Sequence, residues 1–313
     1  MNSTAAQSGM SYLAWVGWQM KIPAEWRPIR IEGGWDKGAM FIADEEEPVL
    51  QVKWWRPGKA RFEAERWMRR RLKALCLRAS REAAPAPAGF AVTTWVSEDL
   101  LDGTAGLLRV WYGYAPEAGL LLEIVTGGET PTKIRKLILR QIIPSLVTYS
   151  SDVAVRWAVF GASFESPAEF TLTNKRLLLG DLTLEFHGKG RRLVLRQVYP
   201  AELALSRRKI ERWIEVRAFR EHRKYRADSS PEKWTVNSFG RKLEGTRVTG
   251  WKRLAFPLGS VSPRRSVAAA VVDRELDRLL LAELDSPGES DDALLASAIG
   301  GMNWAQLEPR GPL

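Results

Sequence analysis

The sequence predicts an α+β fold built from two tandem repeats, each an antiparallel sheet flanked by helices, and three observations predict it. The first is a recurring helix: the stretch from Phe62 to Arg81 carries Glu65-Arg66-Trp67 near its start, and Glu211-Arg212-Trp213 returns 146 residues later. The second is a turn, Pro23-Ala24-Glu25-Trp26, which Pro167-Ala168-Glu169-Phe170 matches 144 residues on. The third is bulk. At 313 residues, 45% hydrophobic and 27% charged, the chain has length for about two domains and apolar material for a core in each. The expected division is a short polar tail over 1–10, one repeat over 11–148 and a second over 153–308, with the boundary at Val147 to Asp152.

In the first repeat, Trp18, Met20 and Ile22 alternate with polar residues, so Tyr12 to Ile22 reads as an early strand that the Pro23 turn ends. After Gly33, Gly34 and Gly38, the stretches Ala39 to Ala43 and Val49 to Trp55 read as a hairpin with the acidic run Asp44 to Glu47 at its tip. Pro57-Gly58 closes this part and the basic helix comes next. Ala64, Trp67, Met68, Leu72, Leu75, Cys76 and Ala79 recur at three-and-four spacing, which gathers them on one helix face. Arg66, Arg69, Arg70, Lys73 and Arg81 take the other. Beyond the Pro-rich loop at Ala83 to Gly89, three strands are expected over Phe90 to Val96, Gly106 to Tyr114 and Leu120 to Thr126, with turns at Asp102-Gly103 and Ala115 to Gly119. Thr130 followed by Pro131 marks a helix start, a side-chain cap before a proline at the first helical position. That helix buries Ile134, Leu137, Ile138 and Ile142, and Pro144 ends it.

The second half repeats the order. Asp181 to Phe186 and Leu193 to Tyr199 form a hairpin about His187-Gly188-Lys189-Gly190, and Pro200 matches Pro57. The helix stripe is Ile210, Trp213, Ile214, Ala218 and Tyr225, interrupted by Arg217 and Glu221, with Arg208, Lys209, Arg212, Arg220 and Arg223 on or near the opposite face. Trp234 corresponds to Trp95, and Leu279-Leu280-Leu281 lies 159 residues beyond Leu120-Leu121-Leu122, so an insertion falls between Gly245 and Arg265. Ser290-Asp291-Asp292 caps a last helix that stops at Gly300-Gly301.

Each half thus runs strand, hairpin, helix, three-stranded meander, helix. This order, with the Pro-Ala-Glu-Trp entry turn and a glycine-introduced hairpin, resembles the family that includes the PsbP photosystem subunit and the Ran-binding Mog protein, with Eag-type chaperones among its bacterial relatives. The resemblance implies an α/β/α sandwich in each repeat, related by a pseudo-twofold, in proteins that mostly bind other proteins and carry no catalytic residues. It transfers no binding residue, because outside the Pro23 and Pro167 turns there is no position-by-position motif.

Charge points to function more directly than any motif does. The net charge is +10, but eleven Lys/Arg against Glu63 and Glu65 give +9 between Lys53 and Arg81, and thirteen against four Glu give +9 between Lys189 and Arg226. The rest of the chain sums to −8. Few acids are placed for i,i+4 neutralisation on these helices, so Arg66, Arg69, Arg70 and Lys73 in one copy and Arg208, Arg212, Arg220 and Arg223 in the other are the candidate partner-binding residues. Two functions fit this pattern: a non-enzymatic adaptor or chaperone that recognises an acidic protein, or a nucleic-acid binder using the same cations with neighbouring aromatics such as Lys53-Trp54-Trp55-Arg56.

Chemistry is sparsely represented. Cys76 sits on an apolar helix face, and one cysteine with His187 and His222 makes no zinc set. The run Asp44 to Glu47 lacks calcium-loop spacing, and Thr126-Gly127-Gly128-Glu129-Thr130-Pro131-Thr132 lacks the Gly-Lys-Ser/Thr ending of a phosphate loop. No enzyme and no cofactor is expected. One cysteine, no basic leader and no apolar run near the roughly 18 residues of a membrane span lead to the expectation of a cytoplasmic protein.

Overall fold

The computed structural model describes residues 9–45, 47–58, 62–74, 79–80, 86–90, 96–97, 109–127, 130–150, 152–220, 225–227, 230–252, 264–287 and 291–307. It is a mostly-β α+β protein with antiparallel sheets, and the chain divides into two compact units, Met1–Gly161 with Arg310–Leu313, and Ala162–Pro309.

The first unit contains β1 (Met10–Trp15), β2 (Trp18–Pro23), β3 (Arg27–Gly33), β4 (Lys37–Ala43), β5 (Pro48–Trp55), α1 (Ala64–Ala74), β6 (Ala79–Ser80), β7 (Val96–Ser97), β8 (Arg109–Ala115), β9 (Leu120–Thr126), α2 (Thr132–Leu137), β10 (Val147–Thr148) and β11 (Val155–Val159). What the alternation presented as one strand over 12–22 is a hairpin, because Val16 and Gly17 both take positive φ, 40° and 90°, in the geometry of a type I′ turn. Valine is an unusual residue at positive φ, so Gly17 alone signals the turn in the local composition. β10 adds to β2, and β11 pairs with β1 at Ala14↔Ala158.

A separate sheet runs β3-β4-β5-β9-β8. β3 escaped the sequence pattern because its register shifts between Pro28 and Arg30, a bulge that breaks the period of two. On one face, Ala64 and Met68 of α1 pack on Val110, Tyr112 and Leu121, with Trp55, Phe62 and Trp67 half-buried around them. On the other, Trp111 and Ile124 line a small cavity with Ile138 and Ile143. Helical cover on both faces explains why β9 is apolar almost throughout.

Two helices differ from expectation. α1 occupies 64–74; Phe62 precedes it, and Ala79, assigned to the helix face by spacing, instead pairs with Ser97 between β6 and β7. α2 begins where Thr130-Pro131 indicated, but Pro131 is itself the N-cap and no side chain caps it. The segment continues as a π turn over Ile138–Ile142 and a 3-10 turn through Pro144. Ile138 and Ile142 are buried as the spacing requires.

The second unit contains β12 (Ala162–Ser166), β13 (Thr171–Leu178), β14 (Asp181–Gly188), β15 (Arg191–Val198), α3 (Ala201–Leu205), α4 (Ile210–Ile214), β16 (Tyr225–Ala227), β17 (Glu232–Ser238), β18 (Arg241–Lys252), β19 (Arg264–Asp273), β20 (Arg278–Pro287), α5 (Asp292–Gly300) and α6 (Trp304–Leu307). Its sheet runs β13-β14-β15-β20-β19-β18-β16, with β17 also on β18. α4 continues as a π turn over Glu215–Arg220, and Trp213, Ile214 and Ala218 pack on Val248, Ala268, Ala270, Leu279 and Leu281. Asp291 caps α5 by accepting from the Leu294 amide at 3.0 Å, as its position before the apolar run suggested. Of the stretch expected to hold an insertion, Gly245 to Lys252 completes β18 and Arg264-Arg265 opens β19; 253–263 lie outside the described residues.

The strand order β3-β4-β5-β9-β8 of the first unit recurs as β13-β14-β15-β20-β19 in the second. The register recurs too: Pro28↔Ile42, Arg30↔Phe41 and Gly33↔Gly38 become Leu172↔Phe186, Asn174↔Glu185 and Leu177↔Leu182, all 144 residues on, with the bulge in the same place. Phe160-Gly161, again 144 beyond Val16-Gly17, repeats its pair of positive φ values at 51° and 71°.

Candidate interaction surfaces

The orientation of α1 is set from beneath. Glu123 of β9 is fully buried, accepting from Lys53 Nζ at 2.8 Å and Arg71 Nε at 3.1 Å. A carboxylate in a strand otherwise made of leucine, isoleucine and valine up to its terminal Thr126 requires such partners, because an unpaired buried charge costs several kcal/mol. Burial pushes the Glu123 carboxyl up, but its hydrogen bonds to Arg71 and Lys53 outweigh this and hold it below the usual range. Tyr112 is pushed the other way, first by burial and then by the Glu123 charge, so its phenol stays neutral.

Arg71 therefore faces inward, and Arg66, Arg69, Arg70 and Lys73 are left exposed on the outer side of α1. Few acids were expected to neutralise them, and two do pair: Arg66 with Glu63 at 3.7 Å, one turn back at i,i+3, and Arg69 with Glu65 at 3.6 Å, at i,i+4. Both pairs are long and solvent-exposed, which makes them weak. Arg70 and Lys73 make no ion pair with a described residue.

In the second unit Trp213 is buried, and the Arg196 guanidinium lies 5.9 Å from its ring while chelating Asp181. Arg208 and Arg212 are exposed, Arg212 pairing with Glu215 at 2.8 Å. The structure adds Arg207, exposed beside Arg208 at the approach to α4, and exposes Lys209, which the spacing already places with these cations. The side chain of Arg220, and Arg223 entirely, lie outside the described residues, as do Cys76 and His222.

The other sequence candidates acquire structural explanations. Trp54 is buried with Nε1 donating to the Gly34 carbonyl at 2.9 Å, and Lys53 is committed to Glu123, so Lys53-Trp54-Trp55-Arg56 is no stacking platform. Arg56 lies 4.3 Å from the Trp35 ring and donates to the carbonyls of Val16 and Ala118, both at 2.7 Å. The tip of the β4–β5 hairpin is closed by its own bonds, the Glu47 amide donating to Asp44 Oδ1 at 2.8 Å. Among the described residues no group of three or more His, Cys, Asp or Glu is arranged to hold a metal.

Two features were missed in the sequence. One is a second buried carboxylate, Glu283 of β20, which accepts from Arg192 at 3.1 Å beneath an open cleft of about 410 Å³ lined by His187, Lys189, Arg191, Arg192 and Arg264. Burial pushes Glu283 up to about 7; Arg192 opposes the rise, and the neighbouring Asp285 and Glu185 add to it. The arginines of that cleft are spent on the fold's own acids, Arg191 on Glu169 and Asp291, and Arg264 on Asp285. The signal for it was a glutamate inside Leu-Leu-Leu-Ala-Glu-Leu, as for Glu123 inside Leu-Leu-Leu-Glu-Ile. The other is a set of exposed hydrophobic residues, Leu178, Leu179, Tyr199 and Leu203, at the opposite end of β14 from the cleft.

No protein-family model and no curated protein matches the chain. Among solved structures, the apo structure of the immunity protein TplEi of the T6SS from Pseudomonas aeruginosa is similar over 95% of this chain and 97% of that chain, at 11% identity and a TM-score of 0.34. No helix among the described residues is long and apolar enough to cross a membrane.

Proposed function

We propose that the chain is a non-catalytic adaptor or chaperone, composed of two tandem copies of one fold, that binds an acidic protein through the exposed cations of its basic helices. The observation that carries this reading is the division of labour on α1: Arg71 turns inward to a buried Glu123, while Arg66, Arg69, Arg70 and Lys73 stay outside with only loose partners. The recurring strand order and register support the tandem reading, and with it a second basic surface at Arg208 and Arg212. Burial of Trp54 removes the best stacking platform for single-stranded nucleic acid, which favours a protein partner.

The test is charge reversal. Arg66→Glu, Arg69→Glu, Arg70→Glu and Lys73→Glu form one set, Arg208→Glu and Arg212→Glu the other, and each is compared with the joint variant in pull-downs from the native host at two salt concentrations, with and without nuclease. Thermal unfolding should be unchanged within a few degrees, because every substituted residue is exposed. A protein should be captured by the wild type, lost in the joint variant and indifferent to nuclease. Capture abolished by nuclease, or duplex DNA binding with a steep salt slope, would replace this reading with nucleic-acid recognition. A joint variant that loses nothing would reduce the helices to solvated faces.

A further inference from the structure

Leu178, Leu179, Tyr199 and Leu203 are four of the ten large hydrophobics left exposed among the described residues, with exposures of 50%, 100%, 54% and 71%, and they lie on two segments that the fold ties together. Leu178 ends β13 and Leu179 opens the β13–β14 turn, with Gly180 at φ +79°; the Tyr199 amide donates to the Gly180 carbonyl at 2.8 Å, and Leu203 comes next on α3. Scattered exposed leucines are ordinary; several on joined segments are not.

The first unit shows what belongs at this place. In the shared register, Trp35 stands 144 residues before Leu179 and Asp36 before Gly180, and the Arg56 amide donates to the Asp36 carbonyl at 2.7 Å as the Tyr199 amide does to Gly180. There the position is covered. Trp35 is half-buried, with its ring 6.0 Å from that of Trp157 and the Arg56 guanidinium over it. In the second unit Leu179 stands in the place of Trp35 and Tyr199 in the place of Arg56, and Leu179 is wholly open to solvent. Directly after α3 come Arg207, Arg208 and Lys209, all exposed and making no ion pair with a described residue, against Glu202 as the one acid on α3.

We infer that Leu178, Leu179, Tyr199 and Leu203, with Arg207, Arg208 and Lys209 beside them, form a docking surface for a partner protein's segment that combines an aromatic or aliphatic side chain with acidic residues. The apolar group takes the place on Leu179 that Trp157 takes on Trp35. The acids meet the three cations, so that desolvated apolar area supplies the affinity and charge supplies the selection. The inference rests on the reading of the chain as a binder of acidic proteins, and it adds where in the second unit such a partner lies and what it presents.

The probe is a phage library of random dodecapeptides, selected on the full wild-type chain and screened in parallel on Leu179→Ser/Leu203→Ser and on Arg207→Glu/Arg208→Glu/Lys209→Glu. Leu179 and Leu203 are exposed, so the first variant keeps its fold, and circular dichroism checks this. Peptides that bind the wild type should combine Asp or Glu with an aromatic or aliphatic residue. They should weaken at least about tenfold on the serine variant, the loss that accompanies returning one leucine contact to water, and fail on the charge-reversed one. Selected peptides that are basic, that bind both variants unchanged, or that never enrich overturn the docking surface. So does sedimentation equilibrium showing a wild-type dimer that the serine variant abolishes, since the occupant is then a second copy of this chain. Binding that survives reversal of Arg66, Arg69, Arg70 and Lys73 but not Leu179→Ser/Leu203→Ser leaves this surface standing even where the α1 pull-down fails, so the two readings fall separately.

Discussion

Two buried glutamates at the same place in their strand orders are shifted in opposite directions, Glu283 up by burial and Glu123 down by hydrogen bonds that outweigh burial, and each leaves a mark on the pH dependence of stability. Glu283 is held up near 7 by burial, which Arg192 offsets only in part. Its unfolded value lies near 4.5, so the folded chain holds a proton that the unfolded chain releases. Stability is therefore lost as pH rises from about 4.5 through 7, by about 3 kcal/mol in all. Glu283→Gln should flatten that loss between pH 5 and 8, as followed by urea unfolding; an unaltered slope would place the titration elsewhere. Glu123 has the contrary sign. Its folded value lies below 4.5 because hydrogen bonds from Arg71 and Lys53 outweigh burial, so its contribution is present above the unfolded value and lost as pH falls through the folded one. Glu123→Ala leaves both cations without their acid and should cost about 3 kcal/mol near neutral pH, whereas Lys73→Glu, on the exposed side of the same helix, should change stability by less than about 0.5 kcal/mol.

At the scale of elements, α1 and α4 are built alike: each turns an aromatic and an aliphatic side chain toward its sheet and cations toward water. Met68→Ala should cost about 3 kcal/mol and Trp213→Ala about 4 kcal/mol, since both side chains are buried against their sheets and leave cavities that the sheet cannot collapse to fill. Equal unfolding midpoints for wild type and Met68→Ala would show that α1 is not anchored on that sheet. The anchors were legible in the sequence because three-and-four spacing survives even when a helix passes into a π turn, as α4 does. The hairpins β4–β5 and β14–β15 were legible from alternation bounded by turn residues. β3 and β13 were not, because a bulge at Ile29 and Thr173 interrupts the period. The turn at Val16-Gly17 was hidden by a valine in a backbone region it rarely enters, and α3 and α6 are too short for periodicity to register. The candidate cations could be named from sequence, since exposure of Arg and Lys is the default. Which cation turns inward could not, because Arg71 is chosen by Glu123, 52 residues away.

For the whole molecule, the +9 of each basic stretch stands against −8 over the remainder, so an acidic partner of the kind proposed would meet an uneven field rather than a uniformly positive particle. Exposed charges act over about one Debye length, near 8–10 Å at physiological salt, and they act chiefly on encounter. Apolar contacts made after encounter act on residence. The exposed cations and the exposed leucines should therefore separate kinetically when one acidic protein partner is measured by surface plasmon resonance at several ionic strengths. The joint reversal of Arg66, Arg69, Arg70, Lys73, Arg208 and Arg212 should slow association by about tenfold or more at low salt and remove most of its salt dependence, with dissociation changed less. Leu179→Ser/Leu203→Ser should leave association nearly unaltered and speed dissociation. The α1 and α4 sets share no residues, and independent action predicts that their separate effects on the association free energy add to within about 0.5 kcal/mol. Reversal that acted on dissociation alone would mean the cations are desolvated contacts rather than steering charges, and the exposed, loosely paired geometry of Arg66, Arg69, Arg70 and Lys73 would then describe only the unbound protein.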